Sequence, residues 1–168
     1  MEKKILMFIS ATIVALSVFI FTASDLRASD ENGEAYCLAL NMYFEAGNQP
    51  TAGKIAVSQV VQNRVSNLNY PDTICGVVYQ AKWFENWRGT TVPVRNMCQF
   101  SWFCDGKPDV PEDSFTWEKS YRLAERILWG EFGDITEGST HYHADSVHPY
   151  WADSLENTVI INNHIFYK

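Results

Sequence analysis

The pattern of apolar and polar positions predicts helices in the N-terminal and central parts of the chain. Apolar residues recur at helical spacing in three segments, residues 34–46, 52–65 and 114–129. The third segment stops at Gly130, a residue typical of helix ends. A shorter apolar segment over residues 74–80 follows Thr73, whose side chain can cap a helix start.

The C-terminal part has the pattern of β-strands. Residues 139–144 alternate as a strand, and residues 158–161 and 164–167 predict a hairpin with Asn at its turn. Residues 82–113 show neither helical spacing nor strand alternation for long, and they are rich in aromatic residues, Gly and Pro. A segment of this length within a compact domain is typically functional, so we expect it to be ordered and close to the site. The predicted class is α+β, with helices first and a small antiparallel sheet last.

The N-terminal segment has the pattern of an export signal. Two lysines precede an apolar run over residues 5–21, and small residues suited to cleavage follow at positions 22–24. We therefore predict that residues 1–24 are a signal peptide. The apolar run is longer than most signal sequences, so an uncleaved membrane anchor through residues 5–23 is the alternative.

The remaining residues predict one exported domain. Residues 25–34 are polar and predict a short linker, and residues 35–168 predict the folded domain. The chain is 46% hydrophobic and 14% aromatic, which is enough to build a core. Its formal net charge is −7 and becomes −8 without residues 1–24, which carry two lysines and one glutamate. Nucleic acid is excluded as a partner because its binding needs a basic face.

Four cysteines follow the signal segment and predict two disulfides in an exported chain. Three pairings are possible. The C-x5-C spacing favours Cys98–Cys104, which leaves Cys37–Cys75. On a chain-entropy estimate these bonds contribute roughly 2 and 4 kcal/mol. Zinc coordination is the rival interpretation, but the chain has no C-x2-C pair.

Glu45 lies on the apolar stripe of the first predicted helix, in line with Leu38 and Met42. It is near the C-terminal end of that helix, where the helix dipole does not stabilise an anion. Burial raises the pKa of a carboxyl group, which suits a general acid. The alternative is an ordinary helix-end glutamate that points to water or pairs with Arg64.

The cysteine-flanked segment over residues 98–104 combines an amide, a hydroxyl and three aromatic rings. Aromatic faces stack on sugar rings, while Gln99 and Ser101 can hold hydroxyl or acetamido groups. The alternative is that this segment is a disulfide-closed plug in the core.

His141 and His143 would share one face of a strand. With His148 or His164 they suit zinc coordination, but no H-E-x-x-H motif accompanies them. We therefore favour hydrogen bonding or substrate contact for one histidine over a metal site. No second carboxylate on a clear element pairs with Glu45, and no G-x-S-x-G motif indicates a nucleophilic serine.

Six short motifs follow one another along the chain. They are Tyr43-x-Glu45-Ala46, Gln62-Asn63-Arg64-Val65, Cys75-Gly76-Val77-Val78-Tyr79-Gln80, Cys98-Gln99-Phe100-Ser101, Thr140-His141-Tyr142-His143-Ala144 and Asn163-His164-Ile165-Phe166-Tyr167. In this order they resemble the SleB-type cell wall hydrolases, a family named for a spore-cortex-lytic enzyme. The resemblance covers roughly residues 35–168.

The resemblance implies an α+β, lysozyme-like or lytic-transglycosylase-like helical domain with a small C-terminal antiparallel β-sheet. Its partner would be the glycan strands of peptidoglycan, and it implies no cofactor and no metal. Glu45 would be the single catalytic acid and would protonate the glycosidic oxygen between N-acetylmuramic acid and N-acetylglucosamine. As a base it would then deprotonate the muramic acid 6-hydroxyl, which attacks the anomeric carbon. This explains the lack of a second carboxylate.

We place substrate binding on residues of these motifs and of the aromatic segment. They are Tyr43, Gln99, Phe100, Ser101, Trp102, Tyr142 and His143. One departure concerns the residues after Ala46, where many relatives have Arg-Gly-Glu and this chain has Gly47-Asn48-Gln49. Any role of those charges in orienting substrate is absent here.

Two other function classes remain open. One is a zinc-dependent peptidoglycan amidase that uses His141 and His143, and the other is a non-catalytic wall-binding module. In each case we expect an exported monomer in the periplasm or cell wall, with tethering to the inner membrane if the signal is not cleaved.

Overall fold

The computed structural model describes residues 33–168. The predicted signal or anchor over residues 1–24, and most of the predicted linker over residues 25–34, lie outside the described residues. Within the described part of the chain, each helix is too short or too polar to cross a membrane.

Four α-helices form most of the core, and their bounds agree with the sequence pattern to within one or two residues. They are α1 (Glu34–Ala46), α2 (Thr51–Val65), α3 (Ile74–Val78) and α4 (Ser114–Leu128). Helix α1 is central, because it packs against each of the other three. Thr73 caps α3 by accepting a hydrogen bond from the Gly76 N–H, and Asp113 caps α4 by accepting one from the Phe115 N–H.

The predicted C-terminal strands form a three-stranded antiparallel sheet. Its strands are β3 (His141–Ala144), β4 (Asn157–Ile161) and β5 (His164–Tyr167), with β5 in the middle. Asn162 has a φ of +52° at the β4–β5 turn, a left-handed conformation that asparagine adopts more readily than most residues. Tyr142 pairs with Phe166 across β3 and β5. The predicted α+β class is confirmed.

Residues 82–113 contain a hairpin that the sequence pattern did not predict. Strands β1 (Ala81–Glu85) and β2 (Thr91–Cys98) pair antiparallel, and a short 3-10 helix (Ser101–Cys104) follows them. Trp83 and Phe84 are 46% and 49% exposed, so neither face of β1 is buried. Alternation arises when one face of a strand is buried and the other is not, which explains why no such pattern marks this hairpin. The expectation that strands occur only after the helices was therefore wrong.

Two disulfides are present, in the pairing that the cysteine spacing favoured. Cys37–Cys75 joins α1 to α3, with Cα atoms 5.2 Å apart. Cys98–Cys104 closes the loop around the 3-10 helix, with Cα atoms 6.1 Å apart. The first bond connects α3 to the central helix, and the second connects the end of β2 to the 3-10 helix.

Candidate active site

Glu45 lies at the C-terminal end of α1, beside an open cleft of about 170 Å³. Leu38 and Met42, on the same stripe of the helix, are fully buried, while Glu45 is partly buried. The stripe therefore leads from the core to the cleft wall. The other residues that line the cleft are Arg64, Cys98, Gln99, Phe100, Ser101 and Tyr142.

Tyr142 is the direct partner of the Glu45 carboxyl group. Its hydroxyl donates a hydrogen bond of 3.1 Å to Glu45 Oε2, while Oε1 has no partner among the described residues. Burial and the nearby Glu45 raise the pKa of Tyr142 well above its usual value, so its hydroxyl remains a donor. The free Oε1 is the oxygen that can exchange a proton with a ligand in the cleft.

The pKa of Glu45 is raised above its ordinary value, chiefly because burial disfavours the charged carboxylate. The hydrogen bond from Tyr142 and the charge of Arg64 act in the opposite direction but do not cancel this effect. Glu45 therefore keeps its proton to higher pH than a solvent-exposed glutamate does. This is the property that a general acid needs near neutral pH.

Arg64 is a cleft residue that our sequence analysis did not assign to the site. Its side chain is nearly fully buried, and Nε donates a 2.7 Å hydrogen bond to the Thr140 carbonyl. Its guanidinium carbon lies 5.4 Å from the Tyr70 ring centroid and 5.3 Å from that of Phe100. No ion pair joins Arg64 to Glu45 in the described structure, so the pairing with Arg64 that we considered as an alternative is not present. An arginine among the buried positions of α2 was the signal available in the sequence.

Helix α2 also holds the segment that leads into β3. The Gln59 amide donates to the Gly133 carbonyl at 2.7 Å. Asn63 Nδ2 lies 3.0 Å from the Ser139 carbonyl and 3.1 Å from the hydroxyl of Thr136. These side chains, one turn apart on α2, fix the start of β3 and hence the position of Tyr142.

Two rings of the aromatic segment belong to the core and do not form an open stacking surface. Phe100 is 3% exposed and packs on Arg64. Trp102 is 7% exposed, its ring stacks on Phe44 at 4.9 Å, and its Nε1–H donates to Asn41 Oδ1 at 3.1 Å. Phe100 and Trp102 therefore have the buried positions expected from the alternative interpretation, a disulfide-closed plug in the core.

Gln99 and Ser101 are exposed and line the cleft, as the sequence interpretation required. They lie on either side of the buried Phe100, so the same segment supplies both the floor of the cleft and its polar groups. An amide and a hydroxyl at these positions can hydrogen-bond to the hydroxyl and acetamido groups of a sugar.

Tyr43 does not line the Glu45 cleft. Its hydroxyl accepts hydrogen bonds from the N–H groups of Glu112 and Asp113, at 3.1 and 3.0 Å. It therefore holds the segment before α4, on the other side of the C-terminal end of α1. The sequence motif identified an important tyrosine but could not show which side of the helix it faces.

His143 also lies away from the cleft. Its Nδ1 is 2.9 Å from the Ala144 carbonyl, so Nδ1 is the donor, and its Nε2 accepts from the Tyr167 hydroxyl at 3.0 Å. Successive residues of a strand point to opposite faces, so His143 is turned away when Tyr142 faces Glu45. His143 is buried and stabilises the sheet.

His141 shares the face of β3 that carries His143. Its Nδ1 is 2.9 Å from the Thr140 hydroxyl, and its ring packs against Trp151. Within residues 33–168, no group of three or more histidine, cysteine or acidic side chains is arranged to hold a metal ion. The described residues therefore do not assemble the zinc site that the amidase alternative requires.

Solved structures share this architecture. The chain is similar to the catalytic domain of the germination-specific lytic transglycosylase SleB from Bacillus anthracis, with a TM-score of 0.58 and 23% identity over 80% of this chain and 93% of that one. It is also similar to the catalytic domain of the Bacillus cereus SleB protein, with a TM-score of 0.55 and 23% identity over 80% and 89% of the two chains. The fold and site together define a lysozyme-like α+β domain, and Glu45 is the one carboxyl group among the described residues that line its cleft.

Residues 48–167 match the family model described as Cell Wall Hydrolase, and the chain belongs to this family. The matched region begins just after Glu45, so it includes the strands and the aromatic segment but not the candidate acid itself. That Glu45 lines the cleft is therefore an observation of the structure and not of the family match.

Two curated relatives are spore cortex-lytic enzymes. The protein from Halalkalibacterium halodurans is 25% identical over 145 residues, which are 86% of this chain and 37% of the relative. The protein from Oceanobacillus iheyensis is 36% identical over 47 residues, which are 28% of this chain and 17% of the relative. The chain thus spans 37% or less of the length of these relatives.

Proposed function

We propose that this protein cleaves the glycan strands of peptidoglycan and that Glu45 is its catalytic acid. The observation that carries this proposal is a partly buried carboxyl group with a raised pKa at the wall of an open cleft. Glu45 is the one carboxylate among the described residues that line this cleft. Membership of the Cell Wall Hydrolase family supports the substrate class.

In the first step, the Glu45 proton on Oε1 passes to the glycosidic oxygen between N-acetylmuramic acid and N-acetylglucosamine. The C–O bond to the muramic anomeric carbon breaks, and the N-acetylglucosamine end leaves as an alcohol. Tyr142 holds Oε2 throughout, which keeps the carboxyl plane oriented toward the cleft. The charge of Arg64 favours the carboxylate that forms, without a direct ion pair that would remove the proton beforehand.

In the second step, the Glu45 carboxylate accepts the proton of the muramic acid 6-hydroxyl. That oxygen attacks the anomeric carbon of the same sugar, so the product carries a 1,6-anhydro ring and Glu45 is again protonated. Because the substrate supplies its own nucleophile, the reaction needs no second carboxylate and no activated water. This agrees with a cleft that holds a single acid, whereas hydrolysis through water normally uses two.

We place the activity outside the cytoplasm, in the periplasm or the cell wall. The pattern of the first 24 residues favours export, and the two disulfides suit an oxidising compartment.

The polar groups of Gln99 and Ser101 would hold the sugars on either side of the bond that breaks.

Digestion of purified sacculi, with the products identified by mass, tests the proposal. We expect muropeptides with anhydromuramic ends. Reducing ends would keep glycan cleavage but replace the intramolecular step by hydrolysis. Release of free peptides, blocked by a chelator, would contradict the proposal and support the amidase. If the protein binds sacculi and releases nothing, it is a wall-binding module.

A further inference from the structure

A second cavity, of about 330 Å³, is lined by Tyr43 and Phe44, the two residues that precede Glu45 on α1. Phe44 and Trp102 line it, and each is the immediate sequence neighbour of a cleft residue, Glu45 or Ser101. The two cavities are therefore lined by adjacent residues of α1 and of the aromatic segment. A volume of this size falls within the range of ligand-binding pockets.

The walls of this cavity are held in place without a ligand. Phe44 and Trp102 stack with centroids 4.9 Å apart, and Trp102 is anchored to Asn41. The Tyr43 hydroxyl binds two backbone N–H groups at the end of the 105–113 segment, which forms the outer wall. A preformed pocket loses less conformational entropy on binding than a mobile one.

The rim of the cavity is acidic. Asp105, Asp109 and Glu112 contribute three carboxylates, and Lys107 contributes the single ammonium. Lys107 Nζ lies 3.6 Å from Asp105 Oδ2. Asp109 has no hydrogen bond and no ion pair within the part of the chain that the structure describes. Burial and the neighbouring Asp105 raise the pKa of Asp109, because both disfavour its charged form. A partly buried carboxylate without a partner is unfavourable, and a cation would relieve this.

We propose that this cavity binds the free side-chain ammonium of the diamino acid in the peptide attached to the substrate glycan. Asp109 and Glu112 would receive the ammonium, while the aromatic wall and Val110 contact its methylene chain. The proposal rests on the proposed function, because it places the peptide beside the glycan cleft. A sugar amine would fit less well, since it has no methylene chain to cover the apolar wall.

One consequence is discrimination between free and cross-linked peptides. Cross-linking converts the ammonium to a neutral amide, which the acidic rim would not attract. The cavity would then direct cleavage to strands whose peptides are not cross-linked.

The test measures binding separately from catalysis. The full chain carrying Glu45→Gln is titrated with the stem tripeptide L-Ala-γ-D-Glu-L-Lys and with its Nε-acetylated form. We expect the acetylated peptide to bind about tenfold more weakly, because it loses a charged hydrogen bond. Adding Asp109→Asn should weaken binding of the unmodified peptide by a similar factor. The two peptides should then bind with equal affinity. Asp145→Asn, which alters an exposed carboxylate outside the cavity, should change neither affinity.

Equal binding of the two peptides, or no binding up to millimolar concentration, would overturn the proposal. The proposal would also be overturned if a peptide-free glycan oligosaccharide, or its de-N-acetylated form, bound more tightly than the peptide and Asp109→Asn weakened that binding. Glu112→Gln is a second variant that keeps the test open if Asp109→Asn lowers the fold stability. Because no turnover is required, a wild-type protein that fails to cleave glycan would contradict the proposed function without affecting this result.

Discussion

Replacing Glu45 by Gln separates the chemistry of this carboxyl group from its structural role. Glutamine keeps the shape of the side chain, and its amide oxygen can still accept the hydrogen bond from Tyr142. The substitution removes the transferable proton and the negative charge. We therefore expect a folded protein that has lost its catalytic acid.

The expected loss of activity follows from the number of steps that use this group. A positioned general acid or base typically accelerates a step by about 10²- to 10⁴-fold. Glu45 would serve in both steps, and no other carboxylate lines the cleft in the described structure. We expect the rate to fall by at least about 10³-fold, which corresponds to a barrier increase of about 4 kcal/mol.

Glu45→Gln should lower the activity but should not lower the free energy of unfolding at neutral pH. Folding raises the pKa of Glu45 above its ordinary value of 4.5, so the charged form disfavours the folded state. The carboxyl contributes its full stability below its unfolded pKa, and this is lost as the pH rises through the folded pKa. Gln does not ionise. At pH 7 the variant should therefore be at least as stable as the wild type. Any advantage should shrink as the pH falls through the folded pKa and be absent below the ordinary value of about 4.5.

Muropeptide release from sacculi measures the activity, and thermal unfolding at neutral and acidic pH measures the stability. Glu118→Gln is the matched control, because Glu118 is an exposed residue of α4 whose ion pair with Arg122 is at the surface. The control should retain both properties. An active Glu45→Gln variant would refute the assignment of the acid. A variant clearly less stable than the wild type at pH 7 would refute the argument that burial of the charge is unfavourable.

Three further predictions concern the surroundings of the site. Tyr142→Phe removes the bond that stabilises the Glu45 carboxylate, so the pKa of Glu45 should rise and the alkaline limb of the rate–pH profile should move to higher pH; an unmoved limb would contradict this. Asn63→Ala should lower the free energy of unfolding by about 2 kcal/mol in urea, because it leaves buried acceptors before β3 unpaired, and an unchanged midpoint would count against the network. Replacing Cys37 and Cys75 together by Ser should cost about 4 kcal/mol and lower the Tm, with a wild-type Tm as the contrary result.

Sequence periodicity located most of the secondary structure of this chain. The stripe that contains Leu38 and Met42 predicted both helix α1 and the inward direction of Glu45, and the structure buries the two apolar residues completely. The C-terminal hairpin was equally clear from its alternation and its turn asparagine. These features depend on residues a few positions apart, which is why a local pattern can predict them.

The sequence failed where exposure and not pattern decides the structure. The β1–β2 hairpin is exposed, so it has no alternation to detect. The rings of Phe100 and Trp102 suggested a sugar platform, but their partners Arg64 and Phe44 lie far away in the chain, and those contacts turn the rings into the core. Composition alone does not distinguish a ring that faces solvent from one that is packed on both sides.

By itself, the sequence determined the helices, the cysteine pairing that spacing favours, and the position of one acid on an apolar stripe. Tertiary structure decided the surroundings of that acid. Tyr142 reaches Glu45 from 97 residues away, Arg64 lies beneath the same cleft, and Tyr43 turns to a separate cavity. Burial raises the pKa of Glu45, while the hydrogen bond from Tyr142 and the charge of Arg64 lower it by less. It arises only when the folded chain excludes water from the carboxyl group, which no stretch of sequence can do alone.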